Sequence, residues 1–155
     1  MKLHVSLYVE DIESATHFYS KLFNQSPKIA KENYVKWDVD NPAVNFVIES
    51  GIGGDRKPGL DHLGIQVGNE DELESLTRRF SESGHSHTEI DASHCCYARM
   101  DKSWVKGAAN ENWEAFLTHS HDDDSYGDSS NPFTEGHSQA NKADSDCCVK
   151  ESCCN

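Results

Sequence analysis

Leu60-Asp61-His62-Leu63-Gly64-Ile65-Gln66-Val67 is the stretch whose reading decides the fold, because Leu3-His4-Val5-Ser6-Leu7-Tyr8-Val9 repeats it. Both copies run His, apolar, small, apolar, polar, Val, and the strict alternation is that of half-buried strands. One face carries Val5, Leu7 and Val9, or Leu63, Ile65 and Val67. The opposite face carries His4, Ser6 and Tyr8, or His62, Gly64 and Gln66. Working outward, each copy leads into the same sequence of elements. Behind Glu10, Asp11 and Glu13, the residues Ile12, Ala15, Phe18, Tyr19, Leu22 and Phe23 recur at helical steps. His17 falls off that stripe and reads as a solvated histidine. In the second half Leu73, Leu76 and Phe80 mark a helix over 69–83, stopped by Gly84. Later strands are expected at 28–30, 34–39 and 44–49, and then at 87–90, 95–101 and 112–118. Four glycines and a proline between Gly51 and Gly59 form a seam. The chain therefore reads as α+β, two βαβββ modules (1–52 and 58–118) packed as one domain with a curved mixed sheet.

A net charge of −13 over 155 residues argues against nucleic acid or an anionic membrane, which are held by clustered Lys and Arg. A small molecule is the expected partner. No apolar run approaches the roughly 20 residues needed to span a bilayer. The first residues are strand-like, with neither a basic start nor an apolar core of a leader, so a cytoplasmic protein is expected. From His119 to the end Ser, Asp, Asn, Gly and His dominate. Such a segment buries too little apolar surface to offset its ordering entropy, so 119–155 is expected to be a disordered tail. All six cysteines fall in adjacent pairs, Cys95-Cys96, Cys147-Cys148 and Cys153-Cys154. A secreted framework would spread them to tie distant segments. Kept reduced, each pair instead offers two sulfur ligands to one soft atom.

Laying one half on the other places Asn45 over Glu114. Trp113, Ala115 and Leu117 form the apolar set of that strand, so Glu114 shares the face that carries His62. If the last strand of each module lies beside its first, His62 and Glu114 become neighbours and His4 enters from the other half. Two histidines and one carboxylate with open positions are the ligand set of many non-haem Fe(II) sites that use dioxygen. Asn45 is a poor fourth ligand, and an open site can hold both dioxygen and substrate. Glu49 is the alternative fourth carboxylate, four residues beyond the symmetric position. Trp37, Trp104 and Trp113 read as core and pocket wall.

The paired modules resemble the vicinal oxygen chelate superfamily, which includes glyoxalase I, extradiol dioxygenases and bleomycin-resistance proteins. The resemblance is greatest to the organoarsenical carbon–arsenic lyases and their cadmium-induced relatives. It spans about residues 1–118, through Phe18-Tyr19-Ser20-Lys21-Leu22-Phe23, Leu60-Asp61-His62-Leu63-Gly64, Cys95-Cys96-Tyr97-Ala98, Asp101-Lys102-Ser103-Trp104-Val105 and Trp113-Glu114. It implies a sheet cupped around Fe(II), with His4, His62 and Glu114 as ligands and as the catalytic centre. It implies that Cys95-Cys96 binds the arsenic of a trivalent methyl- or aryl-arsenical, and that dioxygen-dependent cleavage of the carbon–arsenic bond releases arsenite. The tail pairs Cys147-Cys148 and Cys153-Cys154 would then collect arsenicals or pass them to Cys95-Cys96. Adjacent strand residues point to opposite faces, so Cys95 and Cys96 must leave regular strand geometry to act together. Asp101 and Lys102 are expected to form an ion pair on a turn. Two other readings stand beside this one: sequestration of thiophilic metalloids or cadmium without chemistry, and another enzyme of the superfamily. Whether the working unit is a monomer or a homodimer is left open.

Overall fold

The structure is a computed structural model that describes residues 1–51, 56–95, 98–121 and 132–133. Its first module runs β1 (Lys2–Tyr8), α1 (Ile12–Phe23), β2 (Ile29–Lys31), β3 (Tyr34–Asp40) and β4 (Ala43–Glu49). The second runs β5 (Gly59–Val67), α2 (Glu70–Glu82), β6 (His87–Cys95), β7 (Ala98–Lys106) and β8 (Asn112–His121). All the strands join one sheet in the order β2-β3-β4-β1-β5-β8-β7-β6. In each module the last strand lies parallel to the first, β4 on β1 and β8 on β5, and the modules meet where β1 and β5 pair antiparallel. Among the described residues no helix is long and apolar enough to cross a membrane.

The helices begin where the sequence supplies acceptors. Asp11 caps α1 by accepting from the Ser14 N–H, and Asn69 caps α2 by accepting from the Glu72 N–H. Each such cap is worth about 1 kcal/mol. Both helices press their apolar stripes onto one face of the sheet. Under α1 lie Val35, Trp37, Val39, Val44, Phe46 and Ile48, with Trp37 and Ile48 fully buried. Under α2 lie Val67, Ala115 and Leu117, closed by Leu76. Tyr19 and Phe23 of α1 stand against Phe46 at 4.6 and 5.0 Å between ring centroids. Covering that face leaves the opposite face, with His4, His62 and Glu114, as the lining of the cup.

The strand expected over 95–101 divides instead. Cys95 closes β6, Ala98 opens β7, and the two residues pair with each other. The reversal carries no Gly, Pro or Asn, so the usual marker of a hairpin is missing from the sequence. Cys96 and the tail pairs Cys147-Cys148 and Cys153-Cys154 lie outside the described residues. β8 runs on to His121, past its expected end at Thr118.

Candidate metal centre

A single row crosses the cup: Trp104 pairs with Glu114, Glu114 with Gly64, Gly64 with His4, His4 with Asn45, and Asn45 with Asp38. Paired residues share a face and sit within side-chain reach. β8 does lie beside β5, and His62 and Glu114 are neighbours as expected, although the residue directly paired with Glu114 is Gly64 rather than His62. That glycine makes room. A methyl group added to it would lie 2.7 Å from the Glu114 Cγ and 3.0 Å from the Glu114 carbonyl oxygen. The Glu114 side chain lies over the vacancy and reaches the histidines.

His62 pairs with Ser6, and the next pair along is Leu7 with Leu60, so Asp61 has no partner in this ladder. This bulge re-aims the local side chains. It brings Asp61 Oδ2 to 2.6 Å from His62 Nδ1, and Asp61 is held in turn by Arg56. Arg56 also lies 3.5 Å from Glu49. Glu49, the alternative fourth carboxylate, thus faces an arginine and stays out of the converging set.

His4 Nδ1 donates to the Asn45 carbonyl oxygen at 2.9 Å, and His62 Nδ1 donates to Asp61. With both Nδ1 protons so committed, each Nε2 presents a lone pair whenever its ring is neutral. These meet at 3.1 Å, and Glu114 Oε1 lies 3.5 Å from His4 Nε2 and 3.4 Å from His62 Nε2. With His62 neutral, three acceptors converge in a buried place, an arrangement that favours a cation among them. Metal–ligand distances of about 2.1 Å put adjacent ligands of an octahedron about 3.0 Å apart, so the donor set fits a metal ion. Edge-on rings wall the site, Trp104 at 5.1 Å from His62 and Phe116 at 5.2 Å from His4.

The electrostatics follow the same convergence. Burial lowers His4 to about 3, against an ordinary 6.5, despite the attraction of Glu114. Burial would lower His62 too, but Glu114 and the Asp61 hydrogen bond outweigh it and raise His62 to about 9. For Glu114 the opposing effect of burial is overcome by Lys102 and His62, which hold its carboxyl well below the usual range. A proton on His62 thus does in the metal-free protein what a metal ion would do.

Lys102 corrects an expectation. It does not pair with Asp101 on a turn but lies inside β7, where its Nζ donates to Glu114 Oε2 at 3.0 Å. Asp101 points to the other face and meets His119 Nε2 at 2.8 Å. Gly64, Lys102 and Asp61 were the residues sequence reasoning missed. The period-2 pattern across Met100, Lys102 and Trp104 carried the signal for Lys102, since it sets the lysine on the face of Trp104.

Cys95 belongs to the same half of the sheet but lies far along it. It pairs with Ala98, six residues along β7 from Trp104, the partner of Glu114. At about 3.3 Å per residue that is ~20 Å along a straight strand. Between the two points both ladders slip, β6 on β7 between Ile90 and Ser93, and β7 on β8 between Arg99 and Met100. Such bulges bend the strands that carry them.

Residues 3–114 match the Glyoxalase/Bleomycin resistance protein/Dioxygenase superfamily. A trivalent organoarsenical cleaving enzyme of Thermomonospora curvata is 35% identical over 116 residues, 75% of this chain and 76% of that protein. The cadmium-induced protein CadI of Mycobacterium tuberculosis is 33% identical over 117 residues, 74% of each chain. Among solved structures, an extradiol ring-cleaving dioxygenase from B. fuscum superposes with a TM-score of 0.57 at 15% identity, over 76% of this chain and 32% of that one; this likeness is one of fold. The pattern over most of the domain and the 35% identity to a relative of similar length lead to one conclusion: the chain belongs to the Glyoxalase/Bleomycin resistance protein/Dioxygenase superfamily.

Proposed function

We propose that the chain is an enzyme that cleaves the carbon–arsenic bond of trivalent methyl- or aryl-arsenicals, with Fe(II) held by His4, His62 and Glu114. The observation that carries the reading is the meeting of His4 Nε2, His62 Nε2 and Glu114 Oε1 within 3.5 Å of one another. Fe(II) bound there would supply the binding and activation of dioxygen. The chain's own residues prepare the place. Asp61 fixes the tautomer and orientation of His62, as outer partners of metal-bound histidines do. Trp104 and Phe116 exclude water, and Gly64 gives Glu114 its path to the histidines.

Cys95 and Cys96 are assigned the arsenic. Two thiolates satisfy a soft trivalent centre and leave its carbon substituent outward. Bringing that carbon to the metal requires the sheet to curl at the paired slips in β6, β7 and β8. Cys147-Cys148 and Cys153-Cys154 are assigned capture of arsenicals and their transfer to Cys95-Cys96. The name of the relative at 35% identity, a trivalent organoarsenical cleaving enzyme, supports the substrate class.

Anaerobic reconstitution with Fe(II) and a trivalent phenyl- or methyl-arsenical, followed by air, is expected to release arsenite. Binding of the arsenical without arsenite would favour sequestration, the reading to which the vicinal thiols and the cadmium-induced relative also lend themselves.

A further inference from the structure

The two oxygens of Glu114 face different partners. Oε1 lies 3.4 and 3.5 Å from the histidine nitrogens, whereas Oε2 accepts from Lys102 Nζ at 3.0 Å. Both side chains are buried, Lys102 at 5% exposure and Glu114 at 2%. A charge-assisted bond in a dry site is strong and tightly oriented. The ammonium is also flanked by aromatic rings, 5.5 Å from the Trp104 centroid and 5.8 Å from that of Phe116. These contacts leave it little freedom to turn away.

We propose that Lys102 is a positioning residue that keeps Glu114 a one-oxygen ligand, so that the bound metal retains an open position which a two-oxygen carboxylate would fill. The inference rests on the metal-site reading above and adds to it the number of open positions. Carboxylates bind metals through one oxygen or two, and nothing in the identity of His4, His62 and Glu114 selects between these. Lys102 selects by occupying Oε2 before a metal arrives. With three single-atom donors, an octahedral ion keeps three positions for exogenous ligands. Without the lysine, Oε2 swings onto the ion and two remain.

The test uses Mn(II) as probe, with the number of exchanging inner-sphere waters read from water-proton relaxation of the full-length protein. In wild type the count is expected to be three. Lys102→Met, close in shape but without a donor, should lose about a third of the relaxivity per bound Mn(II). Lys102→Arg, which still donates, should keep the wild-type value. Equal water numbers in wild type and Lys102→Met would overturn the proposal while leaving the metal site intact. Failure of wild type to bind Mn(II), Co(II) or Fe(II) would remove the metal site and this inference together. A merely charge-neutralising lysine would alter affinity but leave the water count unchanged, which also counts against the role. Should Lys102→Met not fold, Lys102→Leu poses the same question.

Discussion

His62 and His4 give the metal-free protein an opposed pair of pH limbs. His62, raised to about 9, contributes stability fully present below 6.5 and lost as pH rises from 6.5 through 9. His4, lowered to about 3, stays neutral in the fold while the unfolded chain takes a proton below 6.5, so stability falls as pH drops toward 3. With chelator present, the melting temperature should therefore peak near pH 6.5. His62→Gln should flatten the alkaline limb; a wild-type profile level from pH 6.5 to 9 would refute the assignment. Metal must displace the His62 proton, so Co(II) affinity should rise about tenfold per pH unit below 9. Gly64→Ala sets a methyl 2.7 Å from the Glu114 Cγ. Overpacking of that kind costs about 1–3 kcal/mol, and the displaced carboxylate should weaken Co(II) binding by about 10–100-fold. Titration beside a thermal melt separates the two effects. The convergence of His4, His62 and Glu114 was legible in the sequence because residue type and face sufficed. Gly64 and Lys102 were not, because their importance depends on which strand lies alongside and in what register.

At the scale of elements the two helices were legible, since the apolar steps and the acceptors Asp11 and Asn69 agree in placing their starts. The β6–β7 hairpin was not. Alternation in strands says nothing of where the chain reverses, and no Gly, Pro or Asn in the sequence marks the place where Cys95 comes to pair with Ala98. The distance from that hairpin end to the histidines makes thiol and metal chemistry separable. Cys95→Ser or Cys96→Ser should abolish binding of a trivalent phenylarsenical, read by fluorescence or mass spectrometry. Co(II) affinity in the same variants should stay within about threefold of wild type. A parallel loss of metal binding would mean that the cysteines belong to the metal site itself.

Across the whole molecule the repeat was the most readable feature, because duplication copies both pattern and spacing. The overlay also showed where the halves diverge: Asn45, whose amide donates to Gln66 at 3.0 Å, occupies the place that Glu114 fills in the other half. The domain that we infer to carry the chemistry ends near His121. Removing residues 122–155 should then leave turnover at saturating arsenical within about twofold of the full chain and reduce it at low substrate. Complete loss at saturation would make the tail part of the catalytic unit.

The pairing of β1 with β5 as the join between modules reaches beyond the site. His4 belongs to one module, His62 and Glu114 to the other, so an ion held by all three is a cross-link between residues 58 positions apart in the chain. A cross-link of that span removes conformations from the unfolded chain in the way a long covalent bridge does. Loading the metal should accordingly fasten the two halves together as well as equip them. A chain nicked by protease within the glycine seam should hold together while metal is bound and come apart when chelator takes it away.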